Sequence, residues 1–375
     1  MAYRIGVIGG GQLARMMVPP AIHLGLDIRV LAETGGSSAR LAATQVGDYH
    51  EVETVLAFAR DVDAVTFDHE HVPQDVLRAL VDAGVDVHPS PEALAVAQDK
   101  IVMRRRLSEL GLPVPDWAAV RDAEALGRFL AEHGGSAVVK TARGGYDGKG
   151  VRVVREADGA DDWFADLADG EALLVEELVD FRRELAQSVA RRPSGQIVAW
   201  PLVESVQSDG VCAEVIAPAP KSAGRLAEAA EAIARTVAER LGVTGVLAVE
   251  LFETDDDRLL INELAMRPHN TGHWTIDGST TSQFEQHLRA VLDLPLGDTR
   301  PHDAWSVMVN VLGGPEAGTL AERLPALMAD HPSVKVHDYG KDPRPGRKVG
   351  HVTATGDDLD EATCRARAGA AFFEG

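Results

Sequence analysis

Several clusters in the chain have residue types and spacing suited to handling phosphate and carboxylate groups. The densest runs from Lys140 to Gly150, where a strand end delivers a lysine and Gly144, Gly145, Gly148 and Gly150 follow among Arg143, Tyr146, Asp147 and Lys149. The amides of such a loop can donate to phosphate oxygens while Lys140 supplies a point charge, although the spacing is not that of a Walker loop. A plain hairpin turn would account for the glycines but not for the flanking cations. Glu250 and Glu263 lie in two strand-like segments, Val246 to Phe252 and Leu259 to Leu264, joined through Asp255 and Asp256. With a turn over 254–257, Glu253 pairs with Arg258, and the carboxylates become diagonal neighbours on one face, about 7 Å apart between backbones. Hard oxygen ligands on a rigid hairpin suit a magnesium ion that also touches nucleotide phosphates.

Three further groups add cations and turn residues. Gly9, Gly10, Gly11, Gln12 and Leu13 follow a strand and open a helix, a place where amides and the helix terminus favour an anion. A dinucleotide site would need an acidic ribose ligand, and Glu33 is the only candidate. The run from Arg267 to Trp274 follows the second carboxylate, and its position favours anion handling. His269 and His273 have the spacing of a zinc helix, but Gly272 disfavours helix and no glutamate is suitably placed. His69, Glu70 and His71 read as a polar strand-end cluster near a ligand. Lys335, His337, Lys341, Arg344, Arg347, Lys348 and His351 form a basic island offset by Asp338 and Asp342. In so acidic a chain it is the natural receptor for a phosphorylated substrate.

Positioning these groups requires more than one core. A chain of 375 residues suits two or three packed domains with sites at their junctions. Residues 1–100 alternate strand and helix (Arg4 to Ile8, a helix from Gln12, Asp27 to Leu31, Ala64 to Phe67, a helix opened by Pro73) and predict a parallel α/β domain resembling a Rossmann unit. Residues 101–300 read as an α+β domain, with a glycine-loop subdomain near 116–180 and an amphipathic helix whose apolar face is Leu226, Ala230, Ile233, Val237 and Leu241. Residues 301–375 predict a small mixed α/β cap.

Composition excludes other roles. A net charge of −21 argues against nucleic acid as a partner. No apolar run is long enough to span a bilayer, and the start lacks signal-peptide features, so a cytoplasmic protein is expected. Cys212 and Cys364 are too few for a disulfide framework and read as packing residues.

Taken together, these motifs resemble the ATP-grasp family and, within it, the 5-(carboxyamino)imidazole ribonucleotide synthases of purine biosynthesis. The resemblance rests on Gly9 to Leu13, Thr66 to Val72, Gln98 to Lys100, Gly144 to Gly150, Phe181 to Leu185, Asn262 to Ala265, His269 to Trp274 and Tyr339 to His351, and so covers nearly the whole chain. It implies an N-terminal pre-ATP-grasp domain, a central ATP-grasp domain and a C-terminal cap. It further implies use of ATP, magnesium, bicarbonate and aminoimidazole ribonucleotide, and a homodimer.

The same resemblance assigns individual roles. Lys100, Lys140, Gly145, Tyr146, Asp147, Gly148, Lys149 and Gly150 would bind ATP phosphates. Glu176, Glu177, Leu178 and Val179 would form the linker against adenine, Glu184 would hold the ribose, and Gln207 and Asn262 would stand beside the nucleotide. Glu250 and Glu263 would carry magnesium. Gly10, Gly11, Gln12, Leu13, Asp68, Glu70, His269, Asn270, Lys341, Arg347 and Lys348 would hold the ribonucleotide. Tyr146, Asp147, Lys149, Arg267 and Lys348 would be catalytic, with Tyr146 and Asp147 in a lid and Arg267 facing bicarbonate. The family has histidine at Gln207, glutamate at Asp68 and glycine at Ala14, which implies altered nucleotide contact at Gln207. Competing expectations are a formate-dependent glycinamide ribonucleotide transformylase, a biotin carboxylase, a nicotinamide oxidoreductase and a non-catalytic nucleotide-binding protein.

Overall fold

The computed structural model describes residues 3–145, 150–208, 210–315 and 318–373. Near the N-terminus, strands Arg4–Ile8, Asp27–Ala32, Ala43–Val46 and Ala64–Phe67 form one parallel sheet in the order third, second, first, fourth. Ile5, Val7 and Ile8 are fully buried, as expected of a strand covered on both faces. The strand order reverses between Arg4–Ile8 and Ala64–Phe67, and the crevice at such a reversal lies beyond the carboxyl ends of the strands. That places Gly9 to Gly11 and Asp68 to His71 side by side: a Cβ added to Gly9 would lie 2.9 Å from the His69 ring.

A second, antiparallel sheet orders Trp117–Val120, Leu173–Glu177, Ala137–Thr141 and Val151–Val154, backed by the helix Ala123–Glu132. The third is larger. It runs Leu259–Ala265, Gly245–Thr254, Phe181–Arg191, Val203–Ser208, Val211–Ala217, Trp305–Leu312, Lys348–Gly356 and Lys335–Asp338, and the short strand Ile197–Ala199 pairs beside Phe181–Arg191. The strands after residue 300 therefore extend the central sheet, because Val211–Ala217 hydrogen-bonds to Trp305–Leu312. The amphipathic helix is Arg225–Arg240, but its fully buried face is Ala230, Ala234, Val237 and Ala238. Leu226, Ile233 and Leu241 flank that face and are only partly buried, since alanines let the helix lie closer to the sheet than a leucine stripe would.

One helix ties these layers together. In Gln283–Val291, Phe284, Leu288 and Val291 join the core made by Ile5, Val7, Leu13 and Met17, and Tyr339 from the C-terminal segment closes the same cluster. His287 on that helix accepts the Val246 N–H at Nδ1 (3.0 Å) and donates from Nε2 to Thr66 Oγ1 (2.8 Å). Burial pushes its imidazolium down to about 3, so the ring is a neutral spacer with both nitrogens used. Replacing Phe284 by alanine should therefore cost about 3–5 kcal/mol, as large-to-small core changes do. Urea unfolding measures this, and near-native stability would show that the N-terminal layer does not depend on that helix.

Candidate functional site

A cleft of about 1690 Å³ opens where the three sheets meet. This exceeds the several hundred Å³ of an ordinary small-molecule pocket and leaves room for two ligands. One end is built by a knot of charge. Strand Ala137–Thr141 delivers Lys140, strand Leu173–Glu177 delivers Glu176, and helix Lys100–Glu109 presents Lys100 and Arg104 one turn apart. Lys140 Nζ lies 2.6 Å from Glu176 Oε2 and donates to Asn262 Oδ1 at 3.2 Å. Arg104, fully buried, donates from Nε to Glu176 and from Nη2 to the Asn262 carbonyl at 2.6 Å. Burial alone would raise the Glu176 carboxyl, but Arg104 and Lys140 together hold it below its ordinary value. Burial likewise pushes the Lys140 ammonium down, against the pull of Glu176.

Sequence reasoning missed Arg104. The available signal was its position four residues after Lys100 on one helix face. Glu176, Glu177, Leu178 and Val179 all line the cleft, and Glu176 in addition anchors both cations. Glu184 and Gln207 also line the cleft; burial raises the Glu184 carboxyl, and Gln207 donates to Ser205 Oγ at 2.9 Å. Of the glycine loop, Gly145 lines the cleft and Gly150 closes the loop by accepting the Thr141 N–H at 3.0 Å, without itself lining the cleft. Tyr146, Asp147, Gly148 and Lys149 lie outside the described residues.

The paired glutamates are closer than the simple hairpin register predicts. The turn takes one residue more than expected, so Glu253 pairs with Leu259 rather than Arg258, and a bulge between Glu250 and Leu251 then absorbs Asn262. Glu250 and Glu263 thus stand directly opposite each other rather than diagonally. Burial, then repulsion from Glu263 and Glu184, raises the Glu250 carboxyl to about 8. Lys100 lies 2.5 Å from Glu263, and His269 Nε2 is 3.4 Å from Glu250. Two opposed carboxylates, one held largely protonated by burial and like-charged neighbours, are a fitting donor set for a divalent cation. Among the described residues no group of three or more His, Cys, Asp or Glu is arranged to hold a metal. A cation here would complete its shell with phosphate oxygens and water, as magnesium does beside nucleotides.

The other end gathers Gly11, Gln12, Leu13, Asp68, Glu70, Arg267, His269, Asn270, Lys341, Arg347 and Lys348 along the same cleft. Asp68 accepts the Ala14 N–H at 2.6 Å and fills the space beside Gly11, where any Cβ would collide with it. Arg267 pairs with Glu70 at 2.7 Å, and Lys341 donates to Gln12, joining the two ends of the chain. Gly10 departs from expectation. It is buried outside the cleft lining, and its N–H goes to Glu33 Oε2 at 3.1 Å. Glu33, weighed as a ribose ligand, is held at about 2 by its hydrogen bond to His69 despite partial burial.

The basic island also divides. Lys341, Arg344, Arg347 and Lys348 line the cleft, whereas Lys335, His337 and His351 do not. His337 pairs with Asp277 at 2.7 Å and stacks on the buried His351, which meets the Tyr339 hydroxyl at 2.7 Å. Cys212 is a buried thiol raised to about 11 by burial, as a packing residue should be, but Cys364 is exposed.

Comparison with known proteins agrees with this layout. Residues 1–98 match the ribonucleotide synthetase preATP-grasp domain, residues 105–284 the ATP-grasp domain, and residues 306–365 the phosphoribosylaminoimidazole carboxylase C-terminal domain. The chain is 52% identical over 367 residues to the N5-carboxyaminoimidazole ribonucleotide synthase of Mycobacterium tuberculosis, covering 96% of this chain and 86% of that protein. It is 50% identical over 378 residues to the enzyme of the same name from Corynebacterium ammoniagenes, covering 98% and 91%. Among solved structures, the N5-carboxyaminoimidazole ribonucleotide synthetase of Thermus thermophilus superposes with a TM-score of 0.86 at 38% identity, covering 98% of this chain and 97% of that one. The Aspergillus clavatus N5-carboxyaminoimidazole synthase, in complex with ADP and 5-aminoimidazole ribonucleotide, gives 0.89 at 30% identity, covering 99% and 98%. The three-layer fold, the cleft between its layers and identity across almost the full chain together place this protein in the ATP-grasp ligase family, among the N5-carboxyaminoimidazole ribonucleotide synthases.

Proposed function

We propose that this chain carboxylates 5-aminoimidazole ribonucleotide with ATP and bicarbonate, releasing N5-carboxyaminoimidazole ribonucleotide, ADP and phosphate in purine biosynthesis. The observation that carries this reading is one continuous cleft lined at one end by Lys100, Lys140, Glu250 and Glu263 and at the other by Lys341, Arg347 and Lys348. A bicarbonate oxygen attacks the γ-phosphorus and ADP leaves, giving carboxyphosphate. The exocyclic amine then attacks the carboxyl carbon, or CO2 released from it; phosphate departs and the amine gives up a proton.

The physical difficulty is repulsion between bicarbonate and the triphosphate. Lys140, with Arg104 behind it, supplies fixed positive charge on the phosphate side. Arg267, braced by Glu70, faces bicarbonate, and Lys348 stands near enough to stabilise the ionised form of Glu250. Glu250 and Glu263 would hold magnesium, which when bound neutralises the phosphates. The family resemblance gives Tyr146, Asp147 and Lys149, which lie outside the described residues, the role of limiting hydrolysis of the labile intermediate. The same reading gives a cytoplasmic homodimer, which sedimentation of the purified protein addresses.

Phosphate release from magnesium-ATP and bicarbonate should rise strongly on adding 5-aminoimidazole ribonucleotide. Stimulation instead by formate with glycinamide ribonucleotide would keep the fold and overturn the substrate. No release in any mixture would mark a non-catalytic nucleotide binder.

A second outcome concerns Glu250. Its carboxyl stays largely protonated up to about 8, above its ordinary 4.5, so the metal-free protein should lose stability as pH rises across that window. Magnesium-ADP binding near neutral pH should then release a proton, seen by calorimetry in buffers of different ionisation enthalpy. In Glu250→Gln the proton release should be lost, the stability slope should flatten, and metal affinity should fall at least about tenfold. Unchanged proton release in that variant would remove Glu250 from the metal site.

A further inference from the structure

The turn from His269 to His273 carries the imidazole that faces Glu250, yet a 3-10 turn of three residues is too short to hold itself rigid. What holds it lies behind the cleft. Gln283, at the start of helix Gln283–Val291, is completely buried and does not line the cleft. Its Oε1 accepts the His269 N–H at 2.8 Å, and its Nε2 donates to the His269 carbonyl at 2.8 Å. Both backbone groups of one residue are thus taken by one side-chain amide, which fixes the amide's orientation. Nε2 also lies 2.9 Å from His273 Nδ1. Since Nε2 can only donate, His273 Nδ1 must accept, and the ring is the neutral tautomer with its proton on Nε2.

The surroundings enforce this arrangement. The Gln283 N–H donates to Thr275 Oγ1 at 2.9 Å, and that hydroxyl donates to the Gly272 carbonyl at 2.6 Å. A Cβ on Gly272 would lie 2.4 Å from Gln283 Oε1, so only glycine allows the turn to approach the amide this closely. With its backbone clamped and Nδ1 against Thr271 Oγ1 at 2.9 Å, His269 keeps Nε2 aimed at Glu250.

We infer that Gln283 is a positioning residue for carboxylation, acting through His269 and His273 rather than by touching substrate. Its mechanistic meaning rests on the carboxylation reading above, but the clamp itself is testable without it. Gln283→Glu is nearly isosteric and changes the chemistry with pH. When protonated, the new carboxyl carries one proton where the amide carries two, so it can donate to the His269 carbonyl or to His273 Nδ1 but not to both. When ionised, it sets an acceptor against that carbonyl and draws the proton of His273 onto Nδ1. The titratable groups facing it are His269 and His273 on the turn, with Tyr339 and His351 behind His273 and Arg267 and Glu250 beside His269.

Nitrogen NMR of histidine-labelled protein should show His273 protonated on Nε2 in the wild type. In Gln283→Glu a fraction of His273 should already carry its proton on Nδ1 at pH 6, and that form should become dominant as pH rises to 9. The kcat with aminoimidazole ribonucleotide, relative to wild type at each pH, should fall roughly ten- to a hundredfold at the alkaline end and recover toward acid. Gly272→Ala, which pushes on the same amide, should lower kcat at every pH, and ADP binding reports that each variant is folded. A wild-type His273 protonated on Nδ1 would overturn the clamp whatever the substrate. A normal tautomer shift with a pH-independent activity ratio would overturn its part in catalysis. A wild type that ignores aminoimidazole ribonucleotide would overturn the carboxylation reading, while the tautomer measurement would still decide the clamp.

Discussion

The opposed carboxylates of Glu250 and Glu263 are the constraint on which the rest of the site depends. Two like charges held across adjacent strands repel, and a buried carboxylate without a partner is costly. The protein resolves this unequally. Glu176, in the charge knot at the same end of the cleft, pairs directly with two cations and stays ionised, whereas burial and the carboxylates of Glu263 and Glu184 push Glu250 toward its neutral form despite Lys348 and Arg267. A site that is electrostatically complete at Glu176 and incomplete at Glu250 is poised to gain from an incoming cation at one place only.

That poise requires a rigid frame, and the bulge beside Glu250 supplies part of it. By absorbing one residue it turns Glu263 to face Glu250 while leaving Asn262 to meet Lys140 through its side chain and Arg104 through its carbonyl. The three sheets hold the remaining pieces, and helix Gln283–Val291 is where their placement converges. Its apolar face belongs to the N-terminal core, His287 joins Thr66 to Val246, and Gln283 grips the turn that follows the carboxylate hairpin. Movement of that helix would be felt at both ends of the cleft.

Much of this was legible in the sequence, and the failures share a cause. Strand-end lysines, glycine loops and carboxylates on a hairpin are local patterns, so Lys140, Glu250, Glu263 and Lys348 could be singled out without a structure. The placement of Gly10 could not be read from the sequence, because its amide is claimed by Glu33, a partner beyond the next strand that spacing does not reveal. The basic island split for a similar reason: His337 found Asp277 and His351 found Tyr339, both through tertiary packing. The bulge shifted the hairpin register by one, which period-2 patterning alone cannot anticipate. Helix Leu359–Ala371 was overlooked although Asp358 caps it, accepting the Glu361 N–H at 2.9 Å.

The charge balance gives a last step. A chain of net charge −21 should repel a nucleoside triphosphate and a ribonucleotide at long range. Screening confines that repulsion to roughly 8 Å at physiological ionic strength, so inside the cleft the nearby cations outweigh the distant surface acids. Those cations come from separate places: Lys100 and Arg104 on one helix, Lys140 on the glycine-loop sheet, Arg267 after the hairpin, Lys341 and Lys348 on the C-terminal segment. No single layer carries enough positive charge to hold both polyanions. Only the assembled molecule does, so a nucleotide and a ribonucleotide can be held together only where all of these segments meet.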